Sequence, residues 1–319
     1  MTTEQRHGVF LDAKTIACEL VKPASLATWD VHPLVADADV AARIAAADVV
    51  YTNKVPLGAD ALAGAARLKL VVVAATGYDI IDLACCKQRG VAVANSPGYS
   101  VSSVPEHVLA LIFAAARAVV PYHAAAGDGT WANADIFCLQ DHPIIELRGR
   151  QAGFIGSGSL GRASAELCAS VGMKTVFLER HDGEQDELPR LGLDELLATS
   201  DVVSLHCPLT AANRGMIDAA AIAKMKDGAI LINTARGALV DSAALVAALE
   251  AGKLRGAGID VLAAEPPPAA EPLLHCRHPG LVLSPHVAWA SMESQQRLAR
   301  MLAETTDAFF SGAPRHLVG

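Results

Sequence analysis

The chain has 319 residues, 52% of them hydrophobic, and its 26 Lys and Arg against 34 Asp and Glu leave a net charge of −8. That length implies two domains, and that apolar content excludes a disordered chain. The acidic balance, with no Lys/Arg-rich run, lacks the electrostatic footprint of a nucleic-acid binder.

Seven cysteines, odd in number and without a C-x-x-C pair, imply free thiols in a reducing cytoplasm rather than disulfides or a zinc site. The histidines have no metal-site spacing. The start, "MTTEQRHGVF", shows no basic region followed by an apolar core, so no secretory signal is expected. The most apolar window, "VLALIFAAARAVV", carries Arg117 and falls short of a membrane span.

In chain order, "GVFL" (8–11), "DVVYTN" (48–53), "LVVVAA" (70–75) and "VAVAN" (91–95) read as strands separated by helical stretches such as "DADVAARIAAA" and "DALAGAARL". This alternation implies parallel strands with crossover helices. A helix is expected from Ser103 to Pro121, with Ser103 and Glu106 as a capping box and Pro105 in the first turn. It is apolar on nearly every face and should be buried, against another domain or subunit. Residues 122–150 read as irregular, with "GDGTW" and "QDHPI" as turn signals. A second alternating unit has strands near 151–155, 174–178, 201–205, 228–232, 256–260 and 281–284, and a last helix covers 291–311.

The loop Gly156-Ser157-Gly158-Ser159-Leu160-Gly161 lies between an apolar strand and the helical "RASAELCASVG". In that setting G-x-G-x-x-G has a specific logic: Gly156 makes the tight turn, Gly158 lets a pyrophosphate approach, and Gly161 packs helix on strand. The helix N-terminus then faces the phosphates. Glu179 ends the next strand, where a carboxylate accepts from the adenosine ribose hydroxyls and repels an added phosphate. NAD (NADH) is therefore expected over NADP, although Arg180 could soften the preference. "LHCPLT", with His206, Cys207 and Pro208, and "NTARG", with Thr234, Ala235 and Arg236, also follow strands and should border the cofactor.

Arg236, Glu265 and His286 stand at strand ends, with Asp260 ending the strand before Glu265. The set suits reduction of a 2-oxo acid. A guanidinium fork binds the carboxylate and polarises the ketone. A histidine supplies the proton, and a carboxylate on its far ring nitrogen fixes the tautomer.

The ordered segments "GSGSLG", "LHCPLT", "INTARGALVD", "GAGIDVLAAEPP" and "LSPHVAWAS" resemble the D-isomer specific 2-hydroxyacid dehydrogenases, closest to the glycerate dehydrogenase and hydroxypyruvate reductase branch. The resemblance runs from "TNKVPLGADAL" to the final helix. It implies a Rossmann-type doubly wound parallel sheet domain, 102–287, inserted into a smaller flavodoxin-like α/β substrate domain, 1–101 with 288–319, the two closing over a cleft. It implies Arg236 as substrate arginine, Glu265 as orienting acid and His286 as proton donor. Ala75, Thr76 and Gly77 would meet the substrate carboxylate with backbone amides. Val104 and Ala288 would touch the cofactor, and Asp260 would lie near the nicotinamide carboxamide. The helix from 103 would join a homodimer.

Trp289 departs from relatives with glycines in that loop and would narrow the pocket for a compact substrate if it points inward, as Trp131 could; packing is the plainer reading for both. Lys54, in "NKVPL", could lie near the cleft or be a solvated loop residue. The expected activity is reduction of small 2-oxo acids, hydroxypyruvate or glyoxylate, with NADH. Two other readings stay open: a non-catalytic NAD(H)-sensing protein of corepressor type, and a dehydrogenase for a bulkier 2-hydroxy acid.

Overall fold

Residues 5–179 and 186–319 are described by the computed structural model, so Arg180 and His181 lie outside the described residues. The chain divides into two compact units: one comprises the chain up to Tyr99 together with Ala290–Gly319, the other Ser100–Trp289.

In the first unit five parallel strands follow the apolar runs: β1 (His7–Phe10), β2 (Thr28–Val31), β3 (Val49–Thr52), β4 (Leu70–Val73) and β5 (Ala92–Ala94). They lie in the order β5-β4-β3-β1-β2, the flavodoxin-like doubly wound order. β3 and β4 are buried at every residue, as parallel strands covered on both faces must be. A short strand, Leu317–Val318, adds antiparallel to β5. β2 escapes sequence reading because it is an edge strand, mostly exposed, with only Trp29 turned toward the core. The helix Met292–Phe310 is capped by Ser291, whose hydroxyl accepts from Ser294 N at 3.2 Å. It buries Leu298, Ala299, Leu302, Ala303, Thr305 and Thr306, a one-face pattern.

The second unit holds β6 (Gln151–Ile155), β7 (Lys174–Leu178), β8 (Arg190–Leu191), β9 (Val202–Leu205), β10 (Ala229–Asn233), β11 (Leu254–Ile259) and β12 (Leu281–Leu283). All pair in parallel, in the order β12-β11-β10-β9-β6-β7-β8. The chain reverses its direction of growth between β6 and β9, a switch point at which open α/β sheets bind ligands. β8, two residues long, gave no apolar signal in the sequence.

The helix from 103 differs from its expectation in three ways. It spans Ser103–Arg117 and stops at Ala118, whose φ of 51° is left-handed; a second helix, Val119–Gly127, occupies the segment read as irregular and takes Pro121 in its first turn. There is no capping box. Ser102 is the N-cap without a side-chain bond, and the Ser103 hydroxyl donates instead to Ala288 O at 2.7 Å. Nor is burial all round. Val104, Val108, Leu111, Ile112 and Ala115 face the core, while Phe113 is 37% exposed and Val119 and Val120 about half. Glycines in β11 let the buried face come close: a Cβ on Gly258 would stand 2.7 Å from Leu111 Cβ.

Candidate active site

Apart from Val104 and Trp131, the residues singled out in the second unit follow the carboxyl ends of β12, β11, β10, β9, β6 and β7. The glycine loop turns between β6 and the helix Ser159–Ser170. Gly156 has φ +116°, and a Cβ there would press on the carbonyl of His206. A Cβ on Gly161 would collide with Gly156 O, so helix and strand approach only because it is glycine. Beside Gly158 the space is open, with no atom within 4 Å of where a Cβ would point. Gly158 caps the helix without any side-chain bond, leaving first-turn N–H groups available to an anion. Ser159 and Leu160 form that first turn, and Leu160 packs inward against the core.

His206 and Cys207 lie under this loop. Ring and hydroxyl of His206 and Ser204 share a 2.8 Å hydrogen bond, and the ring packs on Phe154. Burial lowers its pKa to about 4, so the ring is neutral at physiological pH. The side chain is a neutral floor for the loop. Burial likewise raises the pKa of the Cys207 thiol, which disfavours the nucleophilic thiolate. Pro208 is exposed, its carbonyl accepting from Asn213 Nδ2 at 2.8 Å.

At the end of β10 a buried Asn233, unremarked in the sequence, braces the turn that carries Arg236. Its Oδ1 accepts from Ala235 N at 3.0 Å and its Nδ2 donates to Arg236 O at 2.9 Å. Arg236 Nη1 donates to Ala235 O at 2.8 Å, and the residue is half-buried. Thr234 Oγ1 is buried and finds no hydrogen-bond partner among the described residues.

Asp260, 2% exposed, organises the next two strand ends. Its Oδ1 accepts from Ser284 Oγ at 2.6 Å and Val287 N at 2.9 Å, and Oδ2 accepts from Ala288 N at 2.9 Å. Its carbonyl accepts from His286 N at 2.7 Å. His107 Nε2 lies 2.9 Å from Ser284 Oγ and 3.6 Å from Asp260 Oδ1. His286 itself has φ +55°, a conformation rare outside glycine that this network enforces. Its Nδ1 is 2.5 Å from Glu265 Oε2, and Glu265 Oε1 accepts from Leu262 N at 2.9 Å.

Val104 and Ala288 are buried in one apolar cluster, and Trp289 packs against the same cluster. Trp131 is 53% exposed and donates to Phe137 O at 2.9 Å. In the first unit Ala75, Thr76 and Gly77 follow β4. Asn95 Nδ2 donates to Thr76 O at 2.7 Å, and Ser96 N to Ala75 O at 3.0 Å.

The glycine turn, the open space at Gly158, the uncapped helix, the unpartnered Thr234 hydroxyl and Glu179 after β7 together fit a dinucleotide. A hydrogen-bonded His–Glu pair and an arginine at neighbouring strand ends add the parts of a carbonyl reductase. Fold and site therefore define a two-unit α/β oxidoreductase of the nicotinamide-dinucleotide class.

Comparison with known proteins agrees. Residues 109–288 match the family described as D-isomer specific 2-hydroxyacid dehydrogenase, NAD binding domain. The chain is 44% identical to a glycerate dehydrogenase of Methylorubrum extorquens over 280 residues, 88% of each protein. It is 36% identical to a hydroxypyruvate reductase of Blautia hydrogenotrophica over 283 residues, 88% of this chain and 87% of that one. The TT0316 protein of Thermus thermophilus superposes with a TM-score of 0.86 at 31% identity, covering 98% of this chain and 100% of that one. The chain belongs to the D-isomer specific 2-hydroxyacid dehydrogenase family.

Proposed function

We propose that the protein reduces small 2-oxo acids, hydroxypyruvate or glyoxylate first, to D-2-hydroxy acids with NADH, and reversibly. The 2.5 Å contact between His286 Nδ1 and Glu265 carries this reading. It commits Nδ1 to the carboxylate and leaves Nε2 as the ring nitrogen that serves the substrate. The names of the glycerate dehydrogenase and hydroxypyruvate reductase relatives support the substrate class.

Loop 156–161 would hold the pyrophosphate, Glu179 the adenosine ribose and Thr234 a further polar contact. When bound, the nicotinamide supplies the hydride for the ketone carbon. Arg236 binds the substrate carboxylate through its planar fork and draws electron density from the ketone oxygen. Glu265 balances the charge of the protonated His286 ring, whose Nε2 gives that oxygen its proton and is left neutral. In the oxidative direction the same nitrogen takes the proton back. NADH is preferred because Glu179 would face a 2′-phosphate with like charge.

His286→Ala tests the assignment. Hydroxypyruvate turnover should fall about 10²–10⁴-fold while the NADH Kd stays within about threefold. Retained turnover would remove His286 as the proton donor. The protein also self-associates in this reading: Phe113, Val119, Val120, Ile136, Phe137 and Ile144 all expose apolar side chains on one unit, Phe137 to 89%.

A further inference from the structure

Beside the glycine loop stands a charged cluster that the reaction does not use. Arg190 reaches across the adenosine end of the loop: Nη2 donates to Ser157 Oγ at 3.1 Å and Nη1 to Leu178 O at 2.7 Å, one residue before Glu179. Arg162, in the first turn of the helix, donates from Nε to Ser157 O at 2.8 Å. Two guanidiniums thus grip the same loop residue. Asp186 joins them. Its Oδ2 lies 2.7 Å from Arg190 Nη2 and 2.7 Å from Arg162 Nη2, and its Oδ1 accepts from Arg190 Nε at 2.9 Å. The Arg190 side chain is 14% exposed and that of Asp186 22%, so these charges are only partly screened by water. The bonds from Arg190 and Arg162 hold the Asp186 carboxyl well below the usual carboxylate range, so it is ionised throughout the working pH range.

An arginine at this end of a Rossmann site is what accommodates the 2′-phosphate of NADP. Here two arginines are present beside the residue that meets the ribose, with one acid tying up both. We propose that Asp186 is a specificity-determining residue: by pairing with both Arg162 and Arg190 it halves the positive charge at the adenosine end of the loop and disfavours NADPH. The inference rests on loop 156–161 being the dinucleotide site, and it assigns cofactor selection to the strand-β8 side of that site as well as to Glu179.

The test uses the whole protein and the dissociation constants of NADPH and NADH, read by energy transfer from protein to reduced nicotinamide. In Asp186→Asn the described cluster goes from one net positive charge to two. NADPH binding should tighten about tenfold while NADH moves less than about threefold. In Arg190→Met the net charge falls to zero, and the preference should move several-fold the other way. The double variant should return close to the parent ratio. A folded Asp186→Asn protein with an NADPH/NADH ratio within about twofold of the parent overturns the proposal. Should that variant not fold, an unchanged ratio in Arg190→Met does the same. A parent that already binds NADPH more tightly would defeat the ribose reading of Glu179, whereas the direction of the shift in the variants still judges Asp186.

Discussion

The half-buried His206, its ring packed on Phe154, makes stability depend on pH in a defined window. Its pKa falls from 6.5 to about 4 because burial against Phe154 and the glycine loop penalises the charged ring. Between those values the unfolded chain holds a proton that the folded chain does not. The folded state is therefore at full stability above pH 6.5, loses stability as pH falls, and levels off below pH 4. Each factor of ten in proton affinity is about 1.4 kcal/mol, so the full loss is about 3 kcal/mol, of which about 2 kcal/mol appears between pH 7.5 and 5. Urea unfolding followed by circular dichroism at pH 7.5, 6.5, 5.5 and 5.0 measures it. His278 is lowered in the same direction by burial, so the comparison must be with His206→Gln, which keeps a polar atom for Ser204 and removes this one titration. The parent should lose about 2 kcal/mol more than the variant over that range. Parallel curves would mean that the ring titrates freely when folded, and that it is not the neutral floor of the loop.

Two further substitutions follow from the same geometry. Arg236→Lys keeps the charge and loses the planar fork, so kcat/KM for hydroxypyruvate should fall about 100-fold with NADH binding unchanged; a smaller change in steady-state kinetics would mean that a point charge suffices. Phe137→Asp puts a charge on the most exposed large apolar side chain among the described residues, and light scattering should show a loss of self-association without a change in circular dichroism.

The glycine loop and the order of strand-end motifs were legible because their residue types have few substitutes. Only glycine fits where Gly156 meets His206 or Gly161 meets Gly156 O, and the long apolar strands of both sheets announce themselves by composition. What escaped depends on tertiary partners. Ser103-x-x-Glu106 has the form of a capping box, yet the hydroxyl found Ala288 O, a partner 185 residues away that no local pattern reveals. The break at Ala118 carries neither glycine nor proline to mark it. Asn233, His107 and Ser284 are ordinary polar residues in sequence. They became visible as braces only when strand ends brought them beside Arg236 and Asp260. Asn233 alone had a signal, being the polar residue that ends the apolar run "AILIN" immediately before "TARG".

Asp260 braces the segment that carries His286. The family resemblance puts this residue near the nicotinamide carboxamide, yet its two oxygens already accept from Ser284 Oγ, Val287 N and Ala288 N. A carboxylate has about four acceptor sites, so one, on Oδ2, is left for a cofactor N–H. Those bonds and its carbonyl fix a segment whose histidine sits at φ +55°, a conformation that costs about 1–3 kcal/mol and persists only when over-determined. Asp260 is a positioning residue for His286. Asp260→Asn preserves its size but turns one acceptor into a donor facing a buried N–H, which should cost about 1–3 kcal/mol of stability. Because His286 would lose its fixed approach, kcat should fall about tenfold or more while the NADH Kd stays within about threefold. A pH–rate profile that changes in shape, and not only in height, would separate displacement of the histidine from general loosening. The opposite pattern, weakened NADH binding with kcat and unfolding midpoint intact, would mean that Asp260 serves the cofactor and not the histidine.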